Sequence, residues 1–228
     1  MEIPFISFLI TCKNEGYQLQ LLLERLLEYK DNNECIILDD FTEDEDTKNV
    51  LQNISGTQFF KVYQHKLDRN YSEHKNYGKS LCKGKYIKIL HCDDFLYRED
   101  ALETIVDALD NSDKYWLVNG FTHTFDKVNY FDPKIPKYPD HLLVGNNLLG
   151  SPSNVTVRNR DLEYFDTNVS TSMDHEWYHR LRMKYGMPLI VQNLLTVSRQ
   201  HFNNVTSKLN FDIVIEGDGA AWQFIQSE

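Results

Sequence analysis

The sequence predicts an α/β fold with a mostly parallel central sheet flanked by helices, and three observations carry that reading. Short apolar runs alternate with segments of helical periodicity from residue 5 to residue 121. Polar clusters follow the apolar runs, where ligands bind in open parallel sheets: Thr11–Glu15, Asp39-Asp40 and Asp93-Asp94. At 228 residues, 41% hydrophobic and 25% charged, the chain has the means to bury a core and the length of one domain.

The elements follow in order. Phe5–Thr11 is an apolar strand, too short and too soon interrupted by Lys13 to be a signal peptide. In Gly16–Lys30, Leu19, Leu22, Leu23, Leu26 and Leu27 share one helical face. Glu34–Asp39 is a buried strand. Thr42 with Glu45 forms a capping box that opens a helix to about Asn53. Gln58–Gln64 is a third strand, and Ser72–Cys82 is a helix stopped by Gly84. Tyr86–His91 is a fourth strand, Asp100–Leu109 a helix and Lys114–Phe121 a further strand. Residues 132–152 hold four of the six prolines and read as one long loop. Asn154–Arg158 is a short strand and Met173–Tyr185 a helix, while residues 203–228 are weakly patterned. No apolar run reaches the ~18 residues of a membrane-spanning helix.

The net charge of −10 disfavours a protein that coats nucleic acid through a broad basic surface. Its distribution says more. Residues 31–46 carry eight acidic groups and no basic one, whereas residues 61–98 carry nine basic and four acidic. Most of these charges are solvated faces. Asp39 and Asp40 end a buried strand, where an uncompensated carboxylate is costly, so they need a partner: a metal, a ribose hydroxyl or a base N–H. Asp93 and Asp94 end another. They suit Mg²⁺ or Mn²⁺ shared with substrate phosphates, or an N-cap for the segment from Tyr97 onward. Asp174 opens the Trp177-bearing helix, either favoured there by the helix dipole or placed to take a proton from a hydroxyl nucleophile. His201, between Arg199 and Asn203, is a phosphate or metal contact or plain surface. Cys12, Cys35, Cys82 and Cys92 stand singly, which argues against a disulfide framework or zinc site and for a reducing compartment. No Walker A loop, nucleophile elbow or G-x-G-x-x-G occurs.

Four segments together resemble inverting glycosyltransferases of the GT-A fold, family 2. PFISFLITCKNEGYQLQLLLERLL resembles that family's opening strand, polar turn and helix, and ECIILDDFTEDEDT its second strand with a double Asp. HKNYGKSLCKGKYIKILHCDDFLY resembles its R-N-x-G…D-x-D-D signature, and MDHEWYHRL its E-D-bearing helix. The resemblance spans roughly residues 4–201. It implies a donor half at 1–128 and an acceptor half at 129–228. Thr11, Asp39 and Asp40 would hold the nucleoside of a nucleoside-diphosphate sugar, UDP being the family's commonest nucleotide. Lys75, Asn76 and Gly78 would lie on the nucleotide side, with Lys75 in place of Arg near the diphosphate. Asp94 would be the preferred ligand of Mn²⁺ or Mg²⁺ and Asp93 a sugar, ribose or metal contact. Asp174 would be the catalytic base, and Arg199 and His201 a late R-x-H element, His201 a further metal ligand.

Two positions depart from the pattern: His91 stands where the family has its first Asp, and Met173 replaces the Glu of the E-D pair. A nucleotide-sugar nucleotidyltransferase is disfavoured because Thr11–Gly16 is not its Gly-rich basic loop. An inactive sugar- or partner-binding relative is the other alternative. The expected acceptor is open among a glycan or cell-surface polymer, a lipid-linked sugar, a protein and a hydroxymethylated DNA base. The expected compartment is the cytoplasm.

Overall fold

A computed structural model describes residues 4–66, 71–139, 142, 147–169 and 172–201. The expectations placed on residues 203–228 lie outside these, as does part of the 132–152 loop.

In chain order the strands are β1 (Ile6–Cys12), β2 (Glu34–Asp39), β3 (Phe60–Gln64), β4 (Tyr86–His91), β5 (Asp94–Leu96), β6 (Trp116–Thr124), β7 (Tyr130–Lys134), β8 (Val155–Arg158) and β9 (Leu189–Arg199). The helices are α1 (Gly16–Leu26), α2 (Glu45–Ile54), α3 (Tyr71–Leu81), α4 (Ala101–Asp110) and α5 (Met173–Tyr185). The strands form one sheet in the order β3-β2-β1-β4-β8-β6-β9-β5, with β7 added on β6. Pairing is parallel through β3-β2-β1-β4 and again between β6 and β9. The other pairs, β4-β8, β6-β8, β6-β7 and β5-β9, are antiparallel.

Alternation along the strands divides the apolar residues between two faces. Ile6, Phe8 and Ile10 point to one core, filled by the leucine stripe of α1, Leu51 of α2 and Leu102, Ile105 and Leu109 of α4. Leu9, Ile36, Leu38, Ile87 and Ile89 point to the other, with Trp116 and the Trp177, Tyr178 and Leu181 of α5. Helix α3 lies close on this second face. A Cβ on Gly78 would sit 2.4 Å from a methyl of Leu9 and 2.7 Å from one of Leu38, so only glycine lets the helix lie that near the sheet.

Several expectations change. Helix α1 ends at Leu26 and continues as a short 3₁₀ turn, Leu27–Tyr29. The N-cap of α2 is Asp44, whose carboxylate accepts from the Thr47 N–H at 2.8 Å, and not Thr42. Thr42 is instead occupied with the neighbouring turns: its N–H donates to Asp39 and its hydroxyl accepts from the Asn14 N–H. Asp94 opens β5, which removes the reading of Asp93-Asp94 as a helix cap. Strand β7 begins before and runs into the expected 132–152 loop. Strand β9 was not foreseen. Its alternation breaks at Gln192-Asn193, where its register against β6 shifts. The carbonyls of these two residues lie 2.9 and 2.8 Å from where a Gly120 Cβ would be, so glycine makes room for the bulge.

Candidate active site

The parallel strands deliver their polar residues to one edge. At the end of β2, Asp39 is 3% exposed. One carboxylate oxygen accepts from the Thr42 N–H at 3.0 Å and the other from Gln64 Nε2 at 3.3 Å. Asp40 pairs with Lys13 Nζ at 2.9 Å. Thr11, one strand over, accepts at its carbonyl from Cys92 Sγ at 3.1 Å. Near Asp40, the Nδ1 atoms of His65 and His74 lie 3.0 Å apart, within hydrogen-bond distance, and Tyr77 stacks on His65. Neither histidine was singled out from the sequence.

The end of β4 is built differently. His91, Asp93 and Asp94 each place a donor atom within 4.8 Å of the others. Asp94 is 1% exposed, and its Oδ1 has no hydrogen-bond partner among the described residues. Its Oδ2 lies 3.4 Å from Ser151 Oγ and 3.6 Å from His91 Nδ1. Burial and the adjacent Asp93 push its carboxyl up to about 7. Burial also raises Asp93, against the opposing pull of His201 and Arg199. His201 Nε2 lies 3.3 Å from Asp93 Oδ2. This is the donor set of a hard or borderline divalent cation, and the orphaned buried oxygen of Asp94 is what such an ion would satisfy.

Arg199 is spent on the backbone. Its guanidinium donates to the carbonyls of Asp93, Cys92 and Gln18 at 2.8, 2.8 and 3.1 Å, which fixes the Asp93 loop against α1. Asn76 is spent in the same way. Its amide donates to the Phe165 carbonyl and accepts from the Phe165 N–H, both at 2.7 Å. Phe165 in turn faces the ammonium of Lys75, 5.5 Å from the ring centroid. Lys75 is buried and pushed down to about 8 by desolvation, which the carboxylate of Asp174 partly offsets.

Asp174 stands in the first turn of α5, and its Oδ2 accepts from Asn147 Nδ2 at 3.2 Å. Asn147 also donates to the Gly150 carbonyl and accepts from the Leu149 and Gly150 N–H groups. Gly150 is followed by Ser151, which reaches Asp94, and by Ser153, whose hydroxyl accepts from the His91 N–H at 3.0 Å. One turn, 147–153, therefore ties Asp174 to the Asp94 cluster. The sequence reading places Asn147 and Ser151 only in the proline-rich 132–152 loop and gives Ser153 no role. The Asn147-x-x-Gly150 spacing, with Gly150 at φ 78°, was the available signal.

The sequence from residue 7 to residue 180 matches the family model for Glycosyl transferase family 2. The chain belongs to that family. Among solved structures, this family 2 chain is similar to TarS 1–349 of S. aureus in complex with UDP-GlcNAc. The TM-score is 0.72 at 12% identity, over 92% of this chain and 63% of that one. The same protein in complex with UDP matches with a TM-score of 0.69 at 14% identity, over 96% of this chain and 70% of that one. The mannosyltransferase PcManGT of Pyrobaculum calidifontis, in complex with GDP-Man and Mn²⁺, matches with a TM-score of 0.63 at 14% identity, over 90% of this chain and 59% of that one. The chain thus spans 59–70% of these structures, and their likeness establishes a GT-A fold. Among curated proteins no sequence matches this one. Among the described residues, no helix of this family 2 chain is long and apolar enough to cross a membrane.

Proposed function

We propose that this protein is an inverting glycosyltransferase that moves a sugar from a nucleoside-diphosphate sugar, UDP-linked, onto an acceptor hydroxyl, with Asp174 as general base. The observation that supports it most is the 147–153 turn, which holds a carboxylate for the acceptor side and the Asp94 cluster for the leaving-group side in one rigid piece.

Asp174 takes the proton of the acceptor hydroxyl as its oxygen bonds to the anomeric carbon. The bond from that carbon to the diphosphate oxygen breaks, and the electron pair leaves with the diphosphate. Attack from the face opposite the leaving group inverts the anomeric centre, with no covalent intermediate. Asn147 fixes the Asp174 carboxylate through Oδ2. Lys75, pushed down to about 8 by burial, interacts electrostatically with both Asp174 and His91 and so couples the two ends of the site. Asp39, each oxygen of which accepts one hydrogen bond among the described residues, takes the ribose or base, with Thr11 and Asp40 beside it. Asp94 and Asp93, with His201 behind Asp93, would hold Mn²⁺ or Mg²⁺. Such an ion supplies neutralisation of the charge that develops on the diphosphate. Asn76 and Arg199 act by positioning Phe165 and the Asp93 loop rather than by touching the donor.

Among acceptors, a glycan or cell-surface polymer is the reading we retain. The cytoplasm is the compartment we retain, in keeping with four unpaired, buried cysteines.

The test is release of UDP from UDP-sugars by wild type and Asp174→Asn, with UDP affinity measured in parallel. The expected result is a loss of about 10²–10⁴-fold in turnover with affinity unchanged. Equal inertness with every nucleotide sugar overturns the enzyme reading in favour of a binding relative. Equal activity overturns Asp174 as the base.

A further inference from the structure

We propose that His91 is itself a ligand of the divalent cation, and that the site therefore takes a manganese-class ion in preference to magnesium. This rests on the metal-assisted donor reading above and assigns it a residue that the sequence had marked only as a departure.

His91 is placed for the task by its backbone. It is the last residue of β4, paired in register with Thr11 of β1, and its N–H is held by Ser153 Oγ at 3.0 Å. The ring thus stands at the strand end, with a third of the side chain open to the cleft. Its Nδ1 is 3.6 Å from Asp94 Oδ2, too long for a hydrogen bond. It is a natural separation for two ligands that each approach one ion at about 2.0–2.2 Å. Asp93 brings a third donor within 4.8 Å. Independently, Asp94 Oδ1 is buried and has no donor among the described residues. The ring makes no hydrogen bond to the carboxylate: it stands 3.6 Å from Oδ2, and Oδ1 stays without a donor among the described residues.

The chemistry of the donor set gives the selectivity. Mg²⁺ demands oxygen ligands and gains most from negative charge, whereas an imidazole nitrogen suits first-row transition ions. Exchanging a carboxylate for a neutral ring removes one negative charge and one hard oxygen together. Both changes cost Mg²⁺ more than Mn²⁺.

The experiment uses the full chain with UDP and Mn²⁺ and reads the ion directly. Pulsed electron paramagnetic resonance of bound Mn²⁺ reports a nearby ligating ¹⁴N, and calorimetry gives the Mn²⁺ and Mg²⁺ affinities. Wild type is expected to show the nitrogen modulation. His91→Asp should lose it or keep only a part contributed by His201, which His91→Asp combined with His201→Gln would then remove. The Mn²⁺ to Mg²⁺ affinity ratio should fall about tenfold or more in His91→Asp, and His91→Gln should lose the modulation while keeping side-chain size. Thermal melts check that each variant folds. If wild type binds Mn²⁺ but the modulation and the ratio are unchanged in His91→Asp, this inference falls and the metal-assisted reading stands. If neither protein binds Mn²⁺, with or without UDP, both fall.

Discussion

Two aspartate pairs end two strands of this sheet, and in the sequence they look alike. The protein treats them in opposite ways. Asp39 and Asp40 are satisfied from within: a backbone N–H, a glutamine and the lysine of the next strand's turn all donate to them. Asp93 and Asp94 are satisfied only in part: His201 lies by Asp93 and Ser151 by Asp94 Oδ2, but Asp94 Oδ1 has no partner among the described residues. Arg199 is in reach of that loop, yet its donors go to carbonyls. The buried Lys88, which feels the charge of Asp94, donates to Asn119 at 3.0 Å. A carboxylate with its own donors can still lend a lone pair to a sugar or base. A buried carboxylate with one oxygen left without a donor among the described residues, and its titration pushed up to about 7, is one that gains by binding a cation.

The largest effect should come from disabling the unsatisfied pair. Asp94→Asn removes a buried ligand, and even residues one step behind a metal ligand typically cost ~10–100-fold in affinity. The Mn²⁺-dependent part of UDP binding should therefore fall by at least about 100-fold, read by titration calorimetry with and without the ion. Metal-independent UDP binding should hardly change. A variant that keeps full Mn²⁺ dependence would show that the two pairs do not differ in kind.

Asp39→Ala is the counterpart. A charge-assisted hydrogen bond is worth about 1.5–3 kcal/mol, so UDP affinity should drop roughly 30-fold, and equally with and without Mn²⁺. The variant also strands the buried Thr42 N–H, and stability should fall by about 1–3 kcal/mol in denaturant titration. Metal-dependent loss at Asp39 would merge the two pairs into one site.

The difference between the pairs was not legible in the sequence, although the pairs themselves were. Strands β1 to β4 announce themselves because parallel strands buried on both faces are continuous apolar runs, and the polar residue that ends each run marks the ligand edge. What satisfies each carboxylate comes from elsewhere. Gln64 is 25 residues from Asp39, Ser151 is 57 from Asp94, and Asn147 is 27 from Asp174. Such partners are set by packing, which periodicity does not encode. The second half of the sheet was harder for a related reason. Its strands are short or bulged: β5 has three residues, β8 has four, and β9 breaks its alternation at Gln192-Asn193. Arg199 and Asn76 were legible as positions, but not the backbone groups they hold, because a motif locates a side chain without saying which groups it bonds.

The smallest effects separate two lysines near the pairs, one bonded to its pair and one not. Lys88 is fully buried, and desolvation pushes it from 10.5 down to about 7. Below pH 7 it is protonated in both states and the burial cost is fully present. Above 10.5 it is neutral in both and the cost is gone. Between these limits the unfolded chain binds the extra proton, so this group makes stability rise with pH. One such lysine contributes at most about 1.4 kcal/mol per pH unit between pH 7 and 9. Lys75 and Lys79 are shifted in the same direction, so the wild-type slope alone does not isolate Lys88. The difference in unfolding free energy between wild type and Lys88→Met does, and it should move in favour of wild type as pH rises. Lys13 is the control. Half its side chain is exposed, and its bond to Asp40 raises it above 10.5, outside the pH 7–9 window. Lys13→Met should change stability by less than about 0.5 kcal/mol and by the same amount at both pH values. A flat Lys88 difference would mean that its ammonium stays charged inside the sheet, and the Asp94 pair would then have an internal counter-ion after all.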